Sequence, residues 1–309
     1  TQWSSSAASD VYKRQSLAYV IIDEQHRFGV QQRLYLAEKG INTNILLMSA
    51  TPIPRTLALA QYGEIEQVIL KEKPAFQKPI ITKVSNIDKI KDIEILLKKK
   101  ISNVSQVYWI CPLVEASETQ KYKDVETRFK SLKNIFGSEV EMLHGKIKSD
   151  QKERIIQNFQ KGNIKILVAT TVVEVGIDNK NADYIVIENA EKFGLSQLHQ
   201  LRGRVGRGNN QGYCFALYGK DLPDNTINRL KIFKENLDGF KLSEKDLEIR
   251  GTGDILGYRQ SGDSLFKFVN VYHDQELIID ALQYVKKLIE KKEYEHCLLY
   301  TSPSPRDNR

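Results

Sequence analysis

The sequence predicts an α/β protein built on an open, mostly parallel sheet, and three observations lead there. Short β-branched runs recur along the chain, separated by stretches with a helical apolar period. The strongest runs, Q-V-Y-W-I-C at 106–111 and I-K-I-L-V-A-T at 164–170, are nearly continuous in apolar residues. That suits strands covered on both faces. The composition is ordinary for a globular chain, with 41% hydrophobic and 28% charged residues in 309. No stretch approaches the roughly 18 uninterrupted apolar residues of a membrane-spanning helix. Three cysteines without paired spacing exclude a disulfide scaffold and a cysteine-based zinc site. A formal charge of +7 permits a polyanionic partner without demanding one.

The elements follow in order. Residues 17–22, 45–50 and 67–70 read as strands, and a charged, proline-bracketed stretch then reads as a linker. A second series places strands at 81–85, 106–111, 140–143, 164–170, 184–188 and 212–218. Helices are expected at 87–100, 121–136, 150–161 and 196–207. Beyond 218 the pattern turns helical, with 225–237, 243–250 and 274–292, and Ser243 followed by Asp246 is a weak capping-box signal. Both ends read differently. The segments S-S-A-A-S-D-V-Y-K-R-Q and C-L-L-Y-T-S-P-S-P-R-D resemble in-frame translations of sequencing adapters, so 1–15 and 297–309 are expected to be non-native. Cys111 and Cys214 then remain, both in strand-like runs that suit a reduced core.

In an open parallel sheet, ligands sit beyond the carboxyl ends of the strands, so the residues after each strand come first. The run 17–22 ends in Asp23-Glu24-Gln25-His26. Two acids there suit Mg²⁺, held by Asp23 through water, with Glu24 orienting or deprotonating an attacking water. They also suit the plain start of a loop. The run 45–50 leads into Ser49-Ala50-Thr51-Pro52, whose hydroxyls can bond the acidic loop or merely open a proline turn. After 164–170 comes Thr170-Thr171-Val-Val-Glu-Val-Gly176-Ile-Asp178. Hydroxyls and a glycine allow close approach to a phosphate backbone, and an ordinary loop equally. The sharpest signal is Gln200-Leu-Arg-Gly-Arg204-Val-Gly-Arg207. On a helix, Gln200, Arg204 and Arg207 share one face, and permanently charged guanidinium groups aimed together suit a triphosphate. The bland reading is a solvated basic face, which two glycines in a short helix make the weaker one.

Taken together, D-E-Q-H, S-A-T, T-T-V-V-E-V-G-I-D and Q-L-R-G-R-V-G-R resemble motifs II, III, V and VI of superfamily 2 helicases. V-I-I-D-E-Q-H-R-F-G-V-Q-Q-R, M-S-A-T-P-I-P-R-T-L-A-L-A-Q-Y and D-L-E-I-R-G-T-G-D-I-L-G-Y-R-Q-S-G are similar to the RecG family of bacterial ATP-dependent DNA helicases. The resemblance covers 16–296. It implies a RecA-like P-loop NTPase helicase fold: a remnant of the ATP-binding first domain at 16–72, a linker at 73–80 and a complete second domain at 81–236. A helical translocation element and C-terminal helices would follow at 237–296.

The resemblance also assigns roles. Glu24, Arg204, Arg207 and Gln200 would be catalytic; Asp23, Gly176 and Asp178 would face ATP–Mg²⁺; His26, Ser49 and Thr51 would couple hydrolysis to movement. Thr170, Thr171, Arg250, Arg259 and Gln260 would serve DNA binding and translocation, with 108–118 and 144–154 as further DNA-facing elements. The implied activity is remodelling of branched double-stranded DNA in recombination and repair, by a monomer in the bacterial cytoplasm, associated with the nucleoid. The family usually reads G-P-G-E and T-R-Q where this chain has Gly251-Thr-Gly-Asp254 and Tyr258-Arg-Gln260. No G-x-x-x-x-G-K-[ST] loop occurs, so the chain alone is expected not to hydrolyse ATP. Two alternatives stand beside this reading: a translocase of the transcription-repair coupling type, and an ATP-independent nucleic-acid-binding module.

Overall fold

The computed structural model describes residues 18–23, 44–49, 68–70, 72, 77–101, 105–112, 123–170, 179–250 and 275–290. The two terminal segments, 1–15 and 297–309, lie outside them. The chain divides into two compact units, 1–52 and 53–309.

In the first unit, β1 (Tyr19–Ile22) and β2 (Asn44–Leu47) pair in parallel, with Ile22 opposite Leu47. The expectation of a strand at 67–70 is corrected: Val68, Ile69 and Leu70 form none and are exposed. Apolar content alone makes no strand, and no described strand runs beside this one to complete its hydrogen bonds.

The second unit holds a six-stranded sheet. Its members are β3 (Ile81–Asn86), β4 (Gln106–Ile110), β5 (Val140–Leu143), β6 (Ile166–Ala169), β7 (Ala182–Ile187) and β8 (Tyr213–Tyr218). Their order is β3-β8-β7-β4-β6-β5, and every pairing is parallel. Parallel neighbours need crossovers, and the amphipathic stretches supply them. They are α1 (Ile90–Lys100), α2 (Lys123–Phe136), α3 (Ser149–Gln160) and α4 (Leu195–Arg202), while α5 (Asp224–Glu235) and α6 (Gly239–Arg250) follow the last strand. A further helix, α7 (Gln275–Glu290), follows.

Alternate strand residues feed two cores. Val107, Trp109, Ile166, Val168 and Val186 pack with Ile93 and Leu97 of α1 and Val125 and Leu132 of α2. On the other face, Tyr108, Ile110, Leu167, Ile185 and Ala216 pack with α3 to α6 through Phe159, Leu198, Leu201, Phe233 and Leu242. The central β4, buried along its whole length, is why its sequence shows no polar alternation. Burial raises the Cys111 thiol well above its usual range and pushes Cys214 up to about 12, so both are inert core residues.

Two helix expectations need correction. Helix α4 ends at Arg202, not at 207: Gly203 closes it, and Gly206 turns with φ +69°. Gln200, Arg204 and Arg207 therefore do not share a helical face. Glycines that look tolerable inside a helix instead end it. Helix α6 begins at Gly239, so Ser243 and Asp246 lie inside it, both buried, and form no capping box of their own.

Candidate nucleotide- and DNA-facing site

Of the expected site residues described in the second unit, Gln200, Arg204 and Arg207 lie toward the amino end of the six-stranded sheet and Thr170 at its carboxyl end. Because α4 returns antiparallel to the strands, the arginine loop that follows it lies at their amino ends. Gly206 N donates to Ala182 O, at the first residue of β7, at 3.2 Å. Gly212 packs on Gly206 so closely that a Cβ would sit 2.9 Å from Gly206 Cα. A Cβ on Gly208 would lie 2.5 Å from Lys180 O, so only glycine fits there without a backbone shift. Asn210 Nδ2 and Ser105 Oγ both donate to Asp183 Oδ2, at 3.0 and 2.7 Å. On this support stand Arg204, buried, and Arg207, half-buried, whose Nε donates to Gly203 O at 3.0 Å and so sets the direction of its guanidinium. Gln200 is buried on α4.

Thr170 lies at the carboxyl end of β6, and Asn179, the next described residue, lies at this same amino end. There Asn179 Nδ2 donates to Gln106 Oε1 at 3.0 Å, while Gln106 Nε2 donates to Phe159 O and Ile164 O. That buried amide pair fixes the position of Asn179. Composition could not show it, because an Asn after a loop looks like any turn residue.

Arg202 is a different kind of arginine. It is 2% exposed, donates to Phe233 O and Asn236 O at 2.8 Å each, and stacks over the Phe233 ring at 4.5 Å. Its burial lowers its pKa to about 10. It closes the carboxyl end of α5 and belongs to the core. The amino end of α4 is held from the same side by Asp246 of α6, whose Oδ1 accepts from Leu195 N at 3.3 Å, and from within by its own Gln197, whose Oε1 accepts from Gly194 N at 3.2 Å. The α5–α6 hairpin thus grips both ends of the helix that leads to the arginine loop. The sequence reading placed Asp246 in a capping box and missed this contact with α4.

At the carboxyl end, Thr170 follows β6 with its side chain wholly buried, and its hydroxyl has no hydrogen-bond partner among the described residues. Near it, Glu188 follows β7 and anchors a charged cluster. It accepts from Trp109 Nε1 at 2.5 Å and pairs with Arg128, whose Nη1 reaches Glu94 at 3.3 Å. Burial raises the Glu94 carboxyl, against the pull of Arg128 and with a push from Glu188. Along the edge strand β5 runs an open groove of about 650 Å³, lined by Phe129, Ser138, His144, Gln151, Arg154 and Ile155. Desolvation lowers the His144 pKa, so its ring is the more readily neutral.

In the first unit, Asp23 and Ser49 follow the paired strand ends and lie at one carboxyl edge, Asp23 exposed and Ser49 half-buried. Glu24, His26, Thr51, Thr171, Gly176, Asp178, Arg259 and Gln260 lie outside the described residues. Arg250 is described only as the last residue of α6.

This parallel sheet has the RecA-like α/β architecture of a helicase C-terminal domain. Residues 86–209 match the family model described as the helicase conserved C-terminal domain. Over nearly its whole length the chain is homologous to RecG. It is 48% identical to the ATP-dependent DNA helicase RecG of Borreliella burgdorferi across 88% of the chain and 39% of that protein. It is 43% identical to RecG of Staphylococcus aureus, across 89% of the chain and 40% of the relative. A solved structure of RecG bound to a three-way DNA junction is 38% identical, with a TM-score of 0.65, covering 85% of this chain and 33% of that one. The chain therefore spans about two fifths of the length of the relatives it matches. Among the described residues, no helix is long and apolar enough to cross a membrane.

Proposed function

We propose that the chain is part of an ATP-dependent DNA helicase or translocase that remodels branched double-stranded DNA, such as stalled forks and Holliday junctions. The observation that carries this reading is the arginine loop, fastened to the amino end of a sheet whose carboxyl end carries Thr170. The 48% identity to a RecG supports the choice of DNA as the polymer. The protein acts in the bacterial cytoplasm, at the nucleoid, as a monomer, with 16–72 and 81–236 as its two helicase domains, 73–80 as linker and 237–296 as the translocation element. The segments 1–15 and 297–309 are not native to it.

The residues present fit a nucleotide on its arginine side. Arg204 and Arg207 offer planar cationic donors on a backbone where glycines meet without Cβ atoms, and Asp23 is an exposed carboxylate of the kind that holds hydrated Mg²⁺. Bound ATP–Mg²⁺ supplies a phosphoanhydride whose cleavage drives movement. Glu24 orients and deprotonates a water; Arg204 and Arg207 stabilise negative charge, with Gln200 positioning them; Gly176 and Asp178 approach the nucleotide. His26, Ser49 and Thr51 sense the state of the acidic loop. Thr170 and Thr171 meet the DNA backbone, and Arg250, Arg259 and Gln260 turn domain closure into a pull on the duplex.

The test is DNA-stimulated ATPase, measured on this chain beside a version extended upstream to include a phosphate-binding loop. The chain alone should be inactive and the extended protein active; equal turnover would overturn the reading. In the extended protein, Glu24→Gln should abolish hydrolysis while nucleotide still binds. Arg207→Ala should lower turnover on the order of 10³-fold, as loss of other arginine fingers does. Arg259→Ala should retain ATPase and lose fork unwinding.

A further inference from the structure

The arginine loop is tied to the sheet by backbone, and to the segment leading into the domain by one side chain. Ile81 N donates to Gly212 O at 2.9 Å, and Ile80 Cγ1 would meet a Cβ on Gly212 at 3.3 Å. One residue earlier in the loop, Gln211 Nε2 donates to Pro79 O at 2.5 Å and to Gly212 O at 3.2 Å. Pro79 has no N–H, so its carbonyl is the backbone group through which the linker can be held at that point. Four residues before Gln211 stands Arg207, and between them Gly208 lies against Lys180 O and Asn210 bonds Asp183. The short span from Arg207 to Gln211 is therefore pinned to the sheet in its middle and to the linker at its end.

We propose that Gln211 is a positioning residue for Arg207: by holding Pro79 it fixes the linker's path against the arginine loop, so that tension along the linker alters where the guanidinium points. This rests on the reading of Arg204 and Arg207 as phosphate-facing. The coupling needs a donor at Gln211 and not merely its bulk. A glutamate keeps the shape and offers only acceptors when ionised, facing a carbonyl oxygen that also accepts.

The experiment compares Gln211→Ala and Gln211→Glu with wild type in the upstream-extended protein, with Arg207→Ala run in parallel. Both Gln211 variants should lower DNA-stimulated kcat on the order of tenfold at unchanged KM for ATP, within the range that a misplaced group produces. In the present chain, hydrogen exchange at the Gly206 and Arg207 amides should quicken, while the amides of β4 keep wild-type protection. A wild-type kcat in both variants, a wild-type kcat in Gln211→Glu, or a raised KM in place of a lowered kcat would each overturn the proposal. If Arg207→Ala lowers turnover and the Gln211 variants do not, only the linker coupling falls. If Arg207→Ala leaves turnover intact, the phosphate-facing reading falls with it.

Discussion

At the amino end of the six-stranded sheet, backbone packs on backbone; at the carboxyl end, side-chain charges do the holding. The amino end relies on Gly206, Gly208 and Gly212, on neutral amides and on the carbonyls of Lys180 and Ala182. The carboxyl end relies on Glu188, Arg128 and Glu94 around Trp109. Glycine contacts leave no rotamers to vary, so they fix a loop at any pH and any salt. Charge clusters respond to both. On the proposed reading, the amino end would hold a small anion at fixed distance and the carboxyl end a long polyanion that must slide.

The largest expected effect breaks the amino end. Gly208→Ala puts a methyl 2.5 Å from Lys180 O, and the obstacle is backbone, which cannot rotate aside. The arginine loop must lift, and a displacement near 1 Å at a catalytic group can lower turnover about 10²-fold. In the upstream-extended protein this should appear in kcat, with DNA affinity retained in a filter-binding or anisotropy assay. Turnover within twofold of wild type would mean that the loop's position does not govern the chemistry.

How far the sequence announced this site differs between the two ends. The strands of the second unit were legible because β4 and β6 are so continuously apolar, and that continuity also places Thr170 at the carboxyl end of β6. The arginines were legible as a motif but misplaced in geometry. A 3.6-residue period carried through Gly203 and Gly206 predicts one helical face, whereas Gly206 takes a positive φ and the chain turns back to the sheet. What glycine does depends on the backbone it meets, and neither Lys180 O nor Gly212 can be inferred from spacing. Arg202 shows the reverse error in waiting: it sits in the same motif, yet its guanidinium closes α5 from within the core.

An intermediate effect tests the carboxyl end. Arg128→Ala would leave Glu94 and Glu188 facing each other with their shared cation gone, which should cost about 3 kcal/mol. The same cluster makes stability depend on pH. Burial raises the folded-state pKa of Glu94 above its ordinary 4.5. The folded chain therefore keeps a proton that the unfolded chain has released, so this group's contribution is fully present below 4.5 and fades as pH rises through the raised value. Thermal melts across that window should show the midpoint falling as pH rises, and Glu94→Gln should flatten the fall. An unchanged slope in Glu94→Gln would assign the dependence to another group.

The smallest effect bears on how the two ends communicate. Asp246, on α6, accepts from Leu195 N at the start of α4, and the other end of α4 opens into the arginine loop. A carboxylate at a helix N-terminus both bonds an orphan N–H and meets the positive end of the helix dipole. Asp246→Ala should lower stability by about 1 kcal/mol, the usual loss for a removed cap. Asp246→Asn keeps an acceptor and gives up the charge, so it should recover most of that. The informative quantity is the coupling in the upstream-extended protein: base pairs unwound per ATP should fall in Asp246→Ala and return in Asp246→Asn, while ATPase alone changes little. If ATPase and unwinding fall together, Asp246 merely supports α4. If only unwinding falls, the hairpin's hold on α4 is part of the path by which an event at the amino end reaches the DNA.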